Sequence, residues 1–510
     1  MVQVTIESNT ASSNRTNTRT YGNWRKPQSA GLFGLGSLGT AFLLGAMIFT
    51  VVVVMVAGLL RGVIVAAGLL VVFLALVTRD AHGASLVSRI STRIGWSATR
   101  AQGQHLYRSG PLGRALWGTY QLPGIAAATR LSEHTDSYGR PFAMVYTPAT
   151  ASYGVVIATE PDGAALVNQE QVDLWVAQWG HWLANLGDEA GVEAAAVTLE
   201  TAPDSGARLR REVELNTDPQ APAFARQMLG EVVQRYPAGS STVKAYVTIT
   251  FSATTRTGGK RRDADELGRD LASRLPGLTA GLQATGAGAA RPMGAQELCE
   301  TIRVAYDPAA AGLIDEAHAL GQTPDLGWPD VGPTAHETSW DGYRHDGAFS
   351  CTWSMTGAPR GHVQSNVLAR LLAPHRDIAR KRITLLYRPI DPARAAAIVE
   401  SDVNAAQFRM SGTAKPAARD VVAVRAAQAT AAEEASGAGL VNFGVLITAT
   451  VTDRTKAADA RAAIDSLSAT ARLRIRPVYG SQDSAFAAAL PLGLVLSKHL
   501  KVPAELKDKL

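Results

Sequence analysis

Several short stretches carry residue types that do chemistry in other proteins. Gly34-Leu35-Gly36-Ser37-Leu38-Gly39 spells the G-x-G-x-x-G of a dinucleotide-binding turn. That turn works only between a strand and a helix, where backbone N–H groups meet a pyrophosphate. Here no strand precedes it and a long apolar run follows, so it reads as the glycine-rich approach to that run. Gly258-Gly259-Lys260-Arg261 resembles the end of a phosphate loop, but Thr254 stands where the leading glycine belongs, and Arg261 where a magnesium-binding hydroxyl is needed. It reads as a turn. His336-Glu337-Thr338-Ser339-Trp340 opens like a zinc-protease helix and places Trp340 at the second ligand position. The ten histidines offer no ligand pair with a carboxylate base, and no G-x-S-x-G occurs. Cys299 and Cys351 are too few for a metal site and read as buried, inert thiols. Arg376, Arg380, Lys381 and Arg382 could hold a phosphate or an acidic partner; the plainer reading is a solvated helix-to-strand junction. No catalytic, cofactor-binding or metal-ligating residue is therefore expected, and the chain is read as a non-enzyme.

The elements that carry these residues are legible from periodicity. Phe142 to Tyr146 and Tyr153 to Ala158 read as a hairpin, and Asn168 to Leu186 as a helix with Trp175, Trp179 and Trp182 on one stripe. That stripe is read as core rather than as a recognition face. Further on, Glu193 to Glu200 and Thr242 to Ser252 read as strands, Pro222 to Arg235 and Asp263 to Leu275 as helices. Past a Gly/Ala-rich link the pattern resumes: Phe349 to Ser354, Ile383 to Arg388, Val441 to Thr452 and Leu473 to Val478 as strands, with helices between. The fold class is α+β, with ferredoxin-like split β-α-β units and an alanine-rich helical arm over about 392–435. Trp328, Trp340, Tyr343, Phe349 and Trp353 crowd an interrupted segment that could line a partner-binding surface, the less favoured of its readings.

Residues 32–77 are almost wholly apolar, with Arg61 the one charge. As one helix the run would measure about 70 Å, roughly twice a bilayer core, so it is expected to cross twice, over about 36–57 and 62–77, reversing at Gly58 to Gly62. Net charge is +3 over residues 1–31 and +6 over 79–130, leaving −4 for 131–510 once Arg61 is included. Both flanks are then cytoplasmic, which gives a multi-pass inner-membrane protein with two spans and cytoplasmic termini. The basic charge is thus local and argues against a nucleic-acid-coating domain. In 85–100, Leu86, Ile90 and Ile94 lie beside Arg89, Arg93 and Arg100, a pattern that suits a helix on anionic lipid or a solvated face on the body. The expected organisation is a disordered tail (1–30), a hairpin (31–78), a basic juxtamembrane segment (79–130), an α/β domain (131–277), a linker (278–295) and a second α/β domain (296–510).

Two stretches carry a resemblance. Tyr21-Gly22-Asn23-Trp24-Arg25-Lys26-Pro27, then Gly31 to Gly36 and the apolar run, resemble the PrgI-type small inner-membrane component of type IV secretion machines in actinobacterial conjugative elements. Arg472 to Pro477 and the closing Gln482 to Gly493 resemble the end of the amino-terminal domain of type IV secretion assembly ATPases. In those ATPases a nucleotide-binding domain follows the closure; here the printed sequence runs only to Leu510. The resemblance implies a non-catalytic inner-membrane subunit of a conjugative DNA-transfer machine that docks a separate motor ATPase within an oligomeric assembly, with no sequence-specific nucleic-acid contact. The alternative is a membrane-anchored scaffold of another secretion or envelope system, or an enzyme whose active site is not recognised.

Overall fold

The computed structural model describes residues 36–78, 86–111, 119–161, 166–204, 206–235, 241–254, 260–359, 361–411 and 417–499, with short pieces at 3–5, 19–22, 24, 80, 113 and 163–164. Two apolar helices come first, α1 (Gly36–Ala57) and α2 (Leu59–Val77). Gly58, at φ +86°, breaks them, and Gly62 lets them approach: a Cβ there would lie 2.1 Å from Val54 Cγ2. Among the described residues no helix is long and apolar enough to cross a membrane. This corrects the transmembrane hairpin in the expected fold class. It also corrects the two-span inner-membrane placement with cytoplasmic termini that rested on it.

Next, α3 (Leu86–Ala101) stands out from the body, held by Trp96, whose ring lies 6.3 Å from Trp340 and 6.2 Å from His105. The body is mixed α/β around one large antiparallel sheet of 13 strands. These are β1 (Leu106–Arg108), β2 (Arg130–Thr135), β3 (Pro141–Thr147), β4 (Ser152–Glu160), β5 (Val192–Pro203), β6 (Ser241–Ser252) and β7 (Ala289–Pro292). After them come β8 (Ala335–Thr338), β9 (Tyr343–His345), β10 (Ala348–Gly357), β11 (Arg380–Pro389), β12 (Val441–Val451) and β13 (Arg474–Pro477). The order is β1-β8-β9-β10-β12-β11-β5-β6-β4-β3-β2, with β7 added beside β4 and β13 beside β10.

Hidden in that order is a repeat. The first unit runs β4, α4 (Gln169–Asp188), β5, α5 (Ala207–Asn216), α6 (Ala223–Arg235), β6, α7 (Ala264–Leu282), β7. The second runs β10, α10 (Ala369–Leu372), β11, α11 (Pro392–Ser411), α12 (Ala418–Ala435), β12, α13 (Ala457–Thr470), β13. Each places its four strands as fourth, first, third, second, the ferredoxin-like arrangement, with a pair of helices inserted between the second and third. α8 (Ala295–Tyr306) and α9 (Ala310–Ala319) follow the first unit, and α14 (Gln482–Ala488) follows the second. The stretch 278–295 set down as a linker holds the end of α7 and all of β7.

Alternation explains which face each strand shows. In β6, Val247, Ile249 and Phe251 pack with Trp182, Leu186, Leu267 and Leu271 under α4 and α7, while Tyr246 joins Tyr306, Phe486 and Leu492 on the other face. β4 is buried on both faces, as its apolar run Val155-Val156-Ile157 requires. In the second unit Ile383, Ile447 and Ile464 form the core beneath α13. Helix starts are fixed locally: Asn168 accepts from the Gln171 amide and Asp263 from the Glu266 amide, satisfying orphan donors of the first turn.

The two units join edge to edge, β5 antiparallel to β11, with Ala195↔Tyr387 through Thr201↔Lys381 in register. Thr198 and Thr384 hydroxyls meet at 3.3 Å in the middle of that seam. The closing segment crosses it. Gln482 clamps the Thr352 backbone at both N–H and C=O, Thr384 donates to Ala489 C=O at 2.7 Å, and Thr250 donates to Gly493 C=O at 3.0 Å. The crossing needs glycine twice: a Cβ on Gly154 would sit 2.8 Å from Leu492 O, and Gly493 has φ +70°.

Candidate docking surfaces and a buried polar seam

The basic cluster on β11 does not form one surface. Successive strand residues face opposite ways, so Arg380 and Arg382 point to the α14 face and Lys381 to the α13 face. Arg380 Nη2 donates to Glu200 Oε1 at 2.5 Å, and Arg382 Nε and Nη2 donate to Glu200 Oε2 at 2.9 and 2.5 Å. All three side chains are nearly buried, at 12%, 5% and 8% exposure for Arg380, Arg382 and Glu200. Burial raises the Glu200 pKa, but Arg382 and then Arg380 outweigh it and hold the carboxyl at about 2. Lys381 is buried and donates to Ala373 C=O; burial lowers its ammonium to about 8. Arg376 alone of the four is open, 91% exposed beside Asp377, on the rim of a shallow depression lined by Pro374, His375, Asp377, Asp459 and Ala463.

Arg89, Arg93 and Arg100 are exposed on α3, as are Leu86, Ile90 and Ile94. The two inserted helix pairs differ. In the second, Ala395, Val399 and Ala406 of α11 are buried, whereas α6 buries nothing and exposes Phe224, Met228, Leu229 and Val232.

Sequence reasoning missed a buried hydroxyl–imidazole pair. His345 Nε2 lies 2.7 Å from Ser350 Oγ, which lies 2.7 Å from Thr450 Oγ1, and His345 Nδ1 is 2.5 Å from the Tyr306 carbonyl. Burial lowers the His345 pKa to about 4, so the ring is neutral: Nδ1 donates to the carbonyl and Nε2 accepts from Ser350. The distances are those of a serine–histidine nucleophile. However, both residues have zero exposure and the histidine is oriented by a backbone carbonyl, so no substrate reaches the pair. His345 and Ser350 stand five residues apart on the two arms of the hairpin that turns at Asp346-Gly347, so an Asp-Gly turn between two short strands is the signal that could have brought them together.

His336, read from the zinc-like stretch, lies buried on β8 with Nδ1 2.7 Å from the Tyr343 hydroxyl. Among the described residues no group of histidine, cysteine and carboxylate side chains could hold a metal ion. Cys299 and Cys351 are free and buried, and burial raises both thiols to about 12. The Gly258–Gly259 turn lies outside the described residues. Trp182 is buried and stacks on Trp179 at 5.1 Å. Trp353 and Tyr343 are buried, and Trp340 stacks on Tyr479 at 5.4 Å. Tyr21 is seated on the body through a β-bridge to Val363 and a 3.1 Å hydrogen bond to Asp173.

Residues 28–88, the helix pair and the start of α3, match a family described only as a domain of unknown function, DUF8461. No curated protein matches the chain. With no helix among the described residues long and apolar enough to cross a membrane, the classing of the chain as a transmembrane protein is corrected, and no named relative supports the type IV secretion part of it: the chain shows a family match to one segment and a twin-unit α/β body.

Proposed function

We propose that this chain is a non-catalytic subunit that docks a separate motor ATPase, within a DNA-transfer machine of the kind that the closing segment's resemblance implies. The observation that carries the reading is the apolar face of α6, where Phe224, Met228, Leu229 and Val232 are exposed together and nothing is buried. The pair inserted at the equivalent place in the second unit instead buries Ala395, Val399 and Ala406 and exposes only Phe408 and Val422 among its large apolar side chains. An amphipathic helix whose apolar face has no cover is a helix-in-groove ligand. Affinity purification of the full chain from its source is expected to recover an ATPase bearing a phosphate loop, and Phe224→Asp with Met228→Asp to abolish that recovery while leaving the circular dichroism unchanged. Recovering other machine components with no such ATPase sinks the proposal.

A second contact is supported by α3, whose described side chains include no acid and whose arginines flank an apolar stripe. It would hold an anionic surface without crossing it. Changing Arg89, Arg93 and Arg100 together to Glu is expected to weaken binding to anionic vesicles by about 1 kcal/mol per arginine, with no change on neutral vesicles. Equal binding of both proteins at low salt would assign the arginines to solvent.

A further inference from the structure

The seam between the two units holds more positive charge than it balances. Arg380 and Arg382 are both nearly buried, and Glu200 is the carboxylate paired with both. Arg382 Nη1 and Arg380 Nε are buried with no hydrogen-bond partner among the described residues. A buried cation without a counter-charge is among the most costly arrangements a fold can hold, and a guanidinium pair offers forked donors shaped for an oxyanion. On β12, Arg382 lies opposite Thr448 and Arg380 opposite Thr450, but those hydroxyls are taken up with Thr352 and Ser350 of the next strand, at 3.0 and 2.7 Å, so the donors left unpaired are those of the guanidiniums. Neither is the surplus an open surface feature, since Phe486 covers Arg382 at 5.5 Å.

We infer that Arg380 and Arg382 form a seat for a small tetrahedral oxyanion, free phosphate or sulfate, that bolts the two units together at their seam. Glu200 takes part of each guanidinium and the oxyanion takes the donors left over. The inference is independent of the motor-docking reading, because it concerns an interior site that no partner helix enters.

Thermal unfolding of the full chain, in inorganic phosphate against sodium chloride at equal ionic strength, tests it. The transition is expected to rise by a few degrees and to saturate with phosphate concentration, as stabilisation by a ligand of the native state does. In Glu200→Gln, where the shape is kept and the competing charge removed, the chloride transition falls and the phosphate increment at least doubles. In Arg380→Gln the saturating part disappears, leaving the unsaturating salt effect common to all variants. An identical phosphate increment in the native protein, Glu200→Gln and Arg380→Gln overturns the inference. If neither variant folds, the native protein decides alone: a rise linear in phosphate, without saturation, also overturns it.

Discussion

Glu200→Ala is expected to lose about 3–5 kcal/mol of stability, because it leaves two nearly buried guanidiniums, side by side on β11, with no carboxylate across the seam. That is a large part of the about 5–15 kcal/mol that holds a typical domain together. Denaturant titration in a buffer without phosphate reads it as a lower midpoint at unchanged slope. The cause is the orphaned charge rather than the lost contact, so Glu200→Leu combined with Arg380→Leu and Arg382→Met should recover most of the loss. A loss under about 1 kcal/mol for Glu200→Ala would mean that the arginines reach water once the carboxylate is gone.

Acid should unfold the body earlier than its carboxylates alone would. His336 and His345 are buried, and that burial, aided at His336 by His345 and His105, lowers both to about 4. An unfolded histidine titrates near 6.5. Below that pH the unfolded chain binds protons that the folded one refuses, so stability falls with pH from about 6.5 down to about 4. Each ring contributes about 3 kcal/mol over that window. Glu200 acts in a lower one: its carboxyl is held at about 2, so the stability it contributes is present above about 4.5 and lost as pH falls toward 2. Denaturant midpoints at pH 7.5, 5.5 and 4.5 should drop steeply, and His345→Gln, which cannot titrate, should flatten the slope by about half whatever its stability at pH 7.5. Midpoints constant down to pH 5 would show that protonated rings find partners inside the fold.

What the sequence by itself determined are features that repeat within one turn or one pleat. The three-four spacing of Trp175, Trp179 and Trp182 predicts α4, and the structure begins it at Gln169 behind an Asn168 cap. The alternation of Tyr246, Thr248 and Thr250 with Val247, Ile249 and Phe251 predicts β6 and its two faces. The break at Gly58 within an apolar run predicts two helices, since backbone freedom there is a property of that residue. Whether such helices cross a membrane depends on more than their apolar composition, and that expectation did not stand. Arg380, Lys381 and Arg382 looked like one solvated cluster because sequence distance says nothing of depth. Tertiary structure split them between two faces and set Arg382 against Glu200, 182 residues away. The joining of β5 to β11, and that of β10 to β12, which brings Ser350 to Thr450 100 residues on, were decided only there. Each depends on pairing between distant strands, whose register is chosen by the summed burial of both faces and leaves no local trace in either strand.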